Sequence, residues 1–345
     1  MQNPFPLVSV VIPFYNQNES YLRECLLSAL LQTYQNIEVL VSDNHSDNGC
    51  EIIVYEFSKS HPQLRIIRPE TQLSMCAHFN YAINQAKGQY VTMLCSDDVL
   101  DFDHVSRLIT PLLSSSDISL SCSLPFQAFY PNVARPTSGL MTGIYTSYDF
   151  IYLCLTSYVC SLGAALFRRE TFLTVGGLNP KLHYAFDVEL LFKLILSGNV
   201  YLDSRPTAFI RLWHRDEQNA RSRQHIIDMI NIFDGLVKLR LPIYIQAPLM
   251  HRQLNLLTRP LLKLLIKNGP LHIYLTPSLV DKINKITPSS FDRFAFSSRS
   301  SIVTVLSSTL CLIIHKLLSL KAHYGKHTIH PLMETTTSIP SLTKS

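Results

Sequence analysis

The sequence has little charge and few of the motifs that bind metals through sulfur. Charged residues make up 16% of the 345 residues and hydrophobic residues 47%, a composition that excludes wholesale disorder and is typical of a globular protein. The eight cysteines form no Cys-x-x-Cys pair, and no group of histidines has zinc-binding spacing. We therefore expect buried, unpaired thiols.

Segments for export and for crossing a membrane are also missing from the pattern. The amino terminus has no basic stretch of the kind that opens a secretory signal, and Pro13 interrupts the apolar run that follows. The apolar run at 302–314 is too short and too rich in hydroxyl groups to span a bilayer. We therefore expect a protein that is made and folded in the cytoplasm.

Charge is unevenly distributed along the chain. Residues 241–345 hold twelve Lys and Arg against three acidic residues, a net charge of +9, which leaves −4 for the rest out of the total of +5. Residues 225–240 and 247–268 have the pattern of amphipathic helices. Basic amphipathic segments are typical of membrane surfaces, so we expect peripheral contact with the inner face of the cytoplasmic membrane. The alternative is a helical subdomain that packs on the rest of the chain.

Buried strands alternate with amphipathic helices in the first hundred residues. Short β-branched and apolar runs predict strands at 7–12, 37–41, 64–67 and 90–94. The stretches between them have apolar residues spaced three and four apart, and no hairpin turn joins one strand to the next. We therefore expect right-handed crossovers and a parallel sheet.

Two adjacent carboxylates, Asp97 and Asp98, follow the fourth of these strands. Ligands of open α/β sheets bind at the carboxyl ends of the strands. Neighbouring carboxylates repel each other unless a cation lies between them, and hard oxygen ligands favour Mg²⁺ or Mn²⁺, which in turn favours a diphosphate. The alternative is a solvated turn, which is common for this residue pair.

Short motifs follow one another in a fixed order between residues 7 and 215. They are VSVVIPFYN at 8–16, VSDN at 41–44, AKGQY at 86–90 leading to SDD at 96–98, LFRRE at 166–170, VGGL at 175–178, FDVELL at 186–191 and RLWH at 211–214. In this order they resemble the family 2 glycosyltransferases. The resemblance implies an α/β protein of the GT-A fold, with a mostly parallel sheet flanked by helices over residues 1–223. A helical, basic extension at 224–325 and a disordered tail at 326–345 would follow.

The resemblance implies a nucleotide pocket formed by Pro13, Tyr15, Asp43 and Asp97. Tyr15 can lie against the base, and the carboxylate of Asp43 can accept the N3 proton of a uracil-type base, which favours UDP or dTDP. Asp97 would contact the ribose or the sugar. Relatives often place a basic residue on the nucleotide, for which Arg68 is a weak candidate. Tyr15 as a core aromatic residue and Asp43 as a helix cap are the alternatives.

The resemblance implies that Asp98 binds the metal and that Asp187 is the catalytic base. Cys95 stands where many relatives have a further Asp. Asp187 lies in the first turn of a helix predicted over 185–196, where the helix dipole stabilises a carboxylate. It would take the proton of the acceptor hydroxyl while the anomeric carbon is attacked opposite the diphosphate, with inversion. Glu189 is the alternative base, and a simple capping role for Asp187 stays open.

The last motif is an Arg-x-x-His sequence that closes over the diphosphate or the metal in relatives. It implies His214 as a second metal ligand, and Arg211 as a contact to the diphosphate or acceptor, a role that Glu189 can also take. Trp213 fits either an acceptor platform or the core. The polar segment 215–223 has the composition of a loop that orders over a bound donor.

Together the motifs predict an inverting, metal-dependent glycosyltransferase. It would move a sugar from a nucleotide-diphosphate donor to a hydroxyl of a glycan or lipid-linked acceptor in cell-surface polysaccharide synthesis, with no nucleic-acid partner. A nucleotidyltransferase would need a Gly-rich, Lys-bearing phosphate loop after the first strand, which residues 13–16 do not provide. The other alternative is a non-catalytic GT-A module that binds nucleotide or scaffolds a membrane assembly. The presence of Asp43, Asp98 and Asp187 together favours the enzyme.

Overall fold

The structure is a computed structural model that describes residues 5–129, 140–156, 160–212, 215–239, 241–246, 248–249 and 252. The described strands are β1 (Val8–Phe14), β2 (Ile37–Asp43), β3 (Leu64–Ile67), β4 (Tyr90–Met93), β5 (Val99–Leu100), β6 (Ile118–Phe129), β7 (Gly143–Tyr145), β8 (Ala165–Arg168) and β9 (Asn199–Leu212). The described helices are α1 (Glu19–Leu30), α2 (Glu51–Ser58), α3 (Met75–Asn84), α4 (His104–Ser114), α5 (Ser147–Thr156), α6 (Arg169–Thr174), α7 (Phe186–Leu196) and α8 (Arg215–Lys238).

The strands form one mixed sheet in the order β3-β2-β1-β4-β8-β6-β9-β5, with β7 paired to β9. The first four strands are all parallel, which confirms the prediction for the first hundred residues. Strand β8 then runs antiparallel to β4 and β6, whereas β6 and β9 are parallel. The strand order reverses between β1 and β4, and a crevice outside the carboxyl ends of strands at such a point is where open α/β sheets bind ligands.

Strands β1 and β4 of the parallel part are buried on both faces because they are mostly apolar. Every residue of β1 and β4 is buried. Helix α1 covers this part with apolar residues at helical spacing, namely Leu22, Cys25, Leu26, Ala29 and Leu30. Burying a large apolar side chain stabilises a fold by roughly 1.5–3 kcal/mol, so this repeated pattern fixes which way each strand faces. The described cysteines are all free thiols, as expected.

The predicted loop at 215–223 is wrong, because the chain there is the first part of helix α8. Polar composition does not exclude a helix, since Arg, Glu and Gln are good helix formers. The amphipathic helix predicted for 225–240 corresponds to the second part of α8, which buries Ile232, Phe233 and Leu236.

The chain divides into two compact units, Met1–Met250 and His251–Ser345. Almost all described residues belong to the first unit, so most of the predicted helix at 247–268, the apolar run at 302–314 and the tail at 326–345 lie outside the described residues. The boundaries predicted at 223 and 325 stay a prediction. Within the described part of the chain, no helix has both the length and the hydropathy needed to cross a bilayer.

Candidate active site

The carboxyl ends of β1, β2 and β4 bring the predicted donor-side residues to one edge of the sheet. Phe14 pairs with Asp43 in the β1–β2 register, so the loop that carries Tyr15 starts beside that aspartate. On the other side of β1, Val11 pairs with Met93, and the N–H of Leu94 donates to the Val11 carbonyl at 2.9 Å. Residues 95–98 therefore continue from β4 at the same edge. The strand ends thus meet as the sequence predicts.

Asp43 is buried, with 2% of its surface exposed, and both of its carboxylate oxygens are engaged. Oδ1 accepts the backbone N–H of Ser46 at 2.9 Å, and Oδ2 pairs with the guanidinium of Arg68. Helix α2 begins at Glu51 with Cys50 as its N-cap residue, so Asp43 is not a helix cap. Arg68, the candidate for the basic residue on the nucleotide, is thus placed beside Asp43 by this ion pair.

Tyr15 is exposed, with 47% of its surface accessible, whereas Pro13 is buried at the end of β1. The core alternative for Tyr15 is therefore wrong. The next residue, Asn16, holds a positive φ of 47° and exchanges two hydrogen bonds with Asp47, at 2.8 and 2.9 Å. Asparagine tolerates this backbone region better than most residues. The exchange ties the loop after β1 to the loop after β2 and leaves the Tyr15 ring at the surface of the crevice.

A cluster of potential metal ligands follows β4. One ligand atom each from Cys95, Asp97 and Asp98 lie within 4.8 Å of one another, and the two aspartates are 8% and 3% exposed. Burial raises the pKa of Asp98, and the charge of Asp97 raises it further. Burial also raises the pKa of Asp97. Two buried carboxylates side by side resist ionisation. A cation bound beside them would stabilise their charged form.

The donor set of this cluster includes two carboxylates, whose hard oxygen atoms fit Mg²⁺ or Mn²⁺. Burial raises the pKa of the Cys95 thiol well above its usual value, and the charges of Asp98 and Asp97 raise it further. The two carboxylates remain as hard oxygen ligands. Gly163 lies beside them: a Cβ at this position would be 3.6 Å from Asp98 Oδ2 and 3.2 Å from Ile210 Cδ1, so the glycine keeps the space next to the carboxylate open.

Arg211, at the end of β9, connects the two aspartates to helix α1. Its backbone N–H donates to Asp98 Oδ1 at 2.9 Å, and its guanidinium donates to the Asp97 carbonyl. The guanidinium also pairs with Glu24 and lies 4.2 Å from the ring centre of Tyr21. A positive charge is thereby fixed next to the acidic cluster. The other two residues predicted from this motif, Trp213 and His214, lie outside the described residues.

Asp187 lies in the first turn of α7, as predicted. Its carboxylate adds to the rise in the pKa of the Cys95 thiol, so it lies within electrostatic reach of that residue. Burial raises the pKa of Asp187 itself, whereas the Val188 N–H and the charge of His225 oppose that rise. A carboxylate with a raised pKa holds a proton more readily than an ordinary one, as a general base needs to do.

Glu189, the alternative base, is held by neighbours on another side of α7. Asn179 Nδ2 donates to its Oε1 at 3.0 Å, and Lys193 Nζ lies 3.1 Å from its Oε2. Its charge raises the pKa of Cys76 on α3 rather than that of Cys95. Within the described residues, Asp187 and Glu189 therefore have different neighbours: Asp187 influences the pKa of Cys95, and Glu189 that of Cys76.

Residues 9–176 match the family model described as glycosyl transferase family 2. This part of the chain is a family 2 glycosyltransferase domain. The hyaluronan synthase of Pasteurella multocida is 31% identical over 221 residues, which are 64% of this chain and 22% of the synthase. The chain thus spans about a fifth of the length of that relative.

Solved structures show that the family 2 domain has the GT-A fold. TarS residues 1–349 from S. aureus, solved in complex with UDP, superpose with a TM-score of 0.58 and 17% identity over 77% of this chain and 76% of theirs. The mannosyltransferase PcManGT from Pyrobaculum calidifontis, solved with GDP-Man and Mn²⁺, gives a TM-score of 0.56 and 16% identity over 90% of this chain and 80% of its own. The predicted fold class is confirmed.

Three residues beside the glycosyltransferase site were missed from the sequence. Tyr21 and Glu24 were not singled out, although both contact Arg211. Asp228 of α8 was not singled out, although it accepts hydrogen bonds from the segment that precedes Asp187. A signal for Asp228 does exist, since it lies four residues before the buried Ile232 and so falls on the apolar face of an amphipathic helix.

Proposed function

We propose that the protein is an inverting, metal-dependent glycosyltransferase of cell-surface polysaccharide synthesis. Its donor would be a UDP or dTDP sugar, and its acceptor a hydroxyl group of a glycan or a lipid-linked glycan. The observation that carries the proposal is the position of one buried acidic pair, Asp97 and Asp98, at the point where the strand order reverses, with the carboxylate of Asp187 within electrostatic reach of Cys95 beside them. The family 2 domain and its likeness to a hyaluronan synthase support this class of reaction.

The donor side of the proposal rests on Asp43, Arg68 and Tyr15. Each carboxylate oxygen can accept two hydrogen bonds, so Asp43 can accept the N3 proton of a uracil-type base while Ser46 stays bound. Arg68 would then contact the base or the phosphates from the position of its ion pair with Asp43. The exposed ring of Tyr15 offers a surface for stacking. The UDP complex of TarS, which has the same fold, supports a uridine nucleotide.

The metal would be held by Asp98, with His214 as the proposed second protein ligand, while Asp97 contacts the ribose or the sugar. When bound, Mn²⁺ or Mg²⁺ neutralises the negative charge of the diphosphate leaving group. Arg211 places a further positive charge beside the same two aspartates. The Mn²⁺ complex of PcManGT supports a divalent cation in this fold.

The acceptor side depends on Asp187. Its carboxylate would accept the proton of the acceptor hydroxyl as the new glycosidic bond forms opposite the leaving diphosphate, which inverts the anomeric configuration. Burial raises the pKa of this carboxyl above its usual value, so it binds the proton more tightly than a solvated Asp. Glu189 is occupied by Asn179 and Lys193, which leaves Asp187 as the better base.

The proposal is tested by turnover of nucleotide sugars. A panel of UDP, dTDP and GDP sugars is incubated with the full chain, with and without Mn²⁺, and release of nucleoside diphosphate is measured. We expect metal-dependent release from a UDP or dTDP sugar, and loss of that release in Asp187→Asn. Asp149→Asn is the matched control, because Asp149 is likewise an acid in the first turn of a helix, α5. Equal loss in both variants would indicate helix capping and contradict the role of Asp187.

We also propose that the basic region 241–345 contacts an anionic membrane, so that the protein is peripheral on the inner face of the cytoplasmic membrane. The net charge of +9 on this region supports the proposal, since basic residues near an anionic surface are attracted by about 1 kcal/mol each. Sedimentation with vesicles of anionic and of neutral phospholipid tests it. Equal binding to both kinds of vesicle, or to neither, would contradict it.

A further inference from the structure

A buried carboxylate on α8 holds the backbone that leads into α7. Asp228 is 1% exposed, and its Oδ2 accepts the N–H groups of three consecutive residues: His183 at 2.8 Å, Tyr184 at 2.7 Å and Ala185 at 3.2 Å. Its Oδ1 accepts Gln224 Nε2 at 3.1 Å. One carboxylate therefore gathers three successive donors of a segment that lies more than forty residues earlier in the chain.

The segment 183–185 needs such a partner because it cannot provide its own. The N-cap residue of α7 is Ala185, whose side chain offers no hydrogen-bond acceptor. The N–H groups before and at a helix start must be satisfied by some acceptor, and here a residue of another helix satisfies them. Burial opposes ionisation of Asp228, but the N–H groups that it accepts hold its pKa below the usual value. Asp228 therefore binds this backbone as a charged acceptor.

Asp187 follows Ala185 by two residues, in the first turn of the helix that this arrangement starts. The first intrahelical bond of α7, from Glu189 N to the Ala185 carbonyl at 3.1 Å, originates at the last of the three anchored residues. The direction of the first turn, and with it the position of the Asp187 carboxylate, is therefore set where Asp228 holds the chain. Helix α8 also faces Asp187 through His225, whose charge lowers the pKa of that carboxyl.

We propose that Asp228 is the positioning residue of the acceptor side: by holding the N–H groups of residues 183–185 it fixes the first turn of α7 and so aims Asp187 at the acceptor hydroxyl. This inference rests on the proposed function. It extends the catalytic machinery into α8, beyond the region 9–176 that matches the family model and beyond the boundary predicted at residue 223. A displacement of about 1 Å of a catalytic group can cost on the order of 10²-fold in rate, so loss of this anchor should be visible in turnover.

The test is a double-mutant cycle in the full chain, with release of nucleoside diphosphate from the donor that the panel selects as the measurement. Asp228→Ala should lower kcat by roughly 10²-fold while leaving the KM for the donor and the Mn²⁺-dependent affinity for the nucleotide unchanged. Asp228→Asn keeps an acceptor oxygen of the same shape and should recover part of that loss. In an Asp187→Asn background, Asp228→Ala should have no further effect, because Asp228 acts through Asp187.

Hydrogen exchange provides a readout that does not depend on activity. The amides of His183, Tyr184 and Ala185 should exchange faster in Asp228→Asn and Asp228→Ala than in the wild type. Asp234→Asn is the control, because it removes a carboxylate from an exposed position of the same helix. If Asp228→Ala fails to fold, the Asp228→Asn variant, with thermal unfolding compared to the wild type, decides the kinetic comparison.

The outcomes separate this inference from the proposed function. A wild type that releases no nucleoside diphosphate from any donor would overturn the proposed function and the present inference together. Loss of turnover in Asp187→Asn with full turnover in Asp228→Ala would overturn only the role of Asp228. Losses that add in the double variant, or unchanged exchange of the three amides, would overturn it as well, since a general loss of stability would produce additive effects.

Discussion

The donor half of the first unit, β1 to β4, and the acceptor half, β5 to β9 with α7 and α8, place their site residues in different ways. In the donor half, Tyr15, Asp43 and the Asp97–Asp98 pair follow the ends of three parallel strands. In the acceptor half, the backbone just before Asp187 donates hydrogen bonds to Asp228, on a helix that comes about forty residues later. Local pattern positions the first set, and tertiary contacts position the second.

This contrast teaches where a sequence reveals a site. Parallel strands bring their carboxyl ends to one edge by topology alone, so a polar residue after such a strand lies near the ligand without further information. The acceptor half has antiparallel pairs, such as β6 with β8, and one long parallel pair, β6 with β9. These pairs bring together residues that are far apart in the chain. A sequence pattern does not specify those partners, and each variant below tests one side of the comparison.

The largest effect is expected for Asp98→Asn in the donor half. The change removes the carboxylate charge that would hold the cation, so turnover should fall by roughly 10²–10³-fold. The gain in nucleotide affinity that Mn²⁺ gives the wild type should also disappear. Calorimetric titration of UDP with and without Mn²⁺ measures the second effect separately from the first.

The control for Asp98→Asn is Asp101→Asn. Asp101 lies three residues further along and pairs with Arg205 at 3.3 Å, on a partly exposed surface. Its loss should leave the Mn²⁺ effect intact. A Mn²⁺ effect that survives in Asp98→Asn would show that the donor half does not hold the cation through this carboxylate.

The fold and the donor side of the site were predictable because their signals are local. The strands β1 to β4 and their parallel order follow from apolar runs that are separated by stretches with helical spacing. The residues after those runs lie at the carboxyl ends of parallel strands, which is where such sheets bind ligands. The contacts of Arg211 were not predictable, because Glu24 lies 187 residues away on the exposed side of α1. A helical pattern records which face is apolar, but it does not record which distant cation an exposed acid will meet.

The acceptor side was predicted only as far as the family motifs reach. They gave Asp187 its role, whereas the apolar spacing within 185–196 gave it a position in a first helical turn, which the structure confirms. Residues 215–223, expected as a loop, are instead the first part of helix α8. Asp228, further along the same helix and on its buried face, accepts hydrogen bonds from the backbone before α7. Polar composition alone does not indicate a loop. A buried carboxylate on an apolar helix face indicates a hydrogen-bond partner elsewhere in the fold.

A second prediction concerns the rigidity of the donor half. Gly88 lies at the start of β4, where an added Cβ would be 2.5 Å from Ser9 Oγ, 2.6 Å from Ser9 N and 2.8 Å from the Tyr90 carbonyl. Two of these three atoms belong to the backbone and cannot move aside. Gly88→Ala should therefore lower the free energy of unfolding by about 1–3 kcal/mol. Unfolding in urea, followed by circular dichroism, measures the change.

Gly143→Ala in β7 is the matched control, because an added Cβ there meets nothing within 4 Å. Alanine also costs less backbone entropy on folding than glycine, so this variant should be neutral or slightly more stable. Equal losses of unfolding free energy in the two variants would show that the close contacts around Gly88 are not the cause of its loss.

A third prediction concerns His78, a buried residue of α3 that lies behind the donor crevice. Its Nε2 is 2.8 Å from Ser42 Oγ, and burial lowers its pKa to about 4 from the usual 6.5. The folded state thus keeps the imidazole neutral while the unfolded chain takes up a proton below pH 6.5. Stability is retained above that pH and is lost as the pH falls from 6.5 towards 4, by about 1–2 kcal/mol at pH 5.

The measurement is the free energy of unfolding at pH 7 and pH 5 for the wild type and for His78→Gln. Glutamine keeps a hydrogen-bonding group but does not titrate, so the loss between the two pH values should be smaller in the variant. His104 has a similarly lowered pKa of about 4 and lies against Thr92 and Thr207, where the two halves meet. His104→Gln should therefore reduce the pH dependence as well.

The smallest effect is expected for His225→Gln in the acceptor half, and it tests the electrostatic side of the comparison. A base must be deprotonated to act, so kcat/KM should fall as the pH drops through the raised pKa of Asp187. The positive charge of His225 lowers that pKa, so its removal should raise the pKa and move the fall to a higher pH, by a fraction of a pH unit. The donor half should not respond: the affinity for UDP and Mn²⁺ should stay the same. A fall that moves to lower pH in the variant would mean that the carboxylate limiting the rate is not Asp187 and does not lie next to α8.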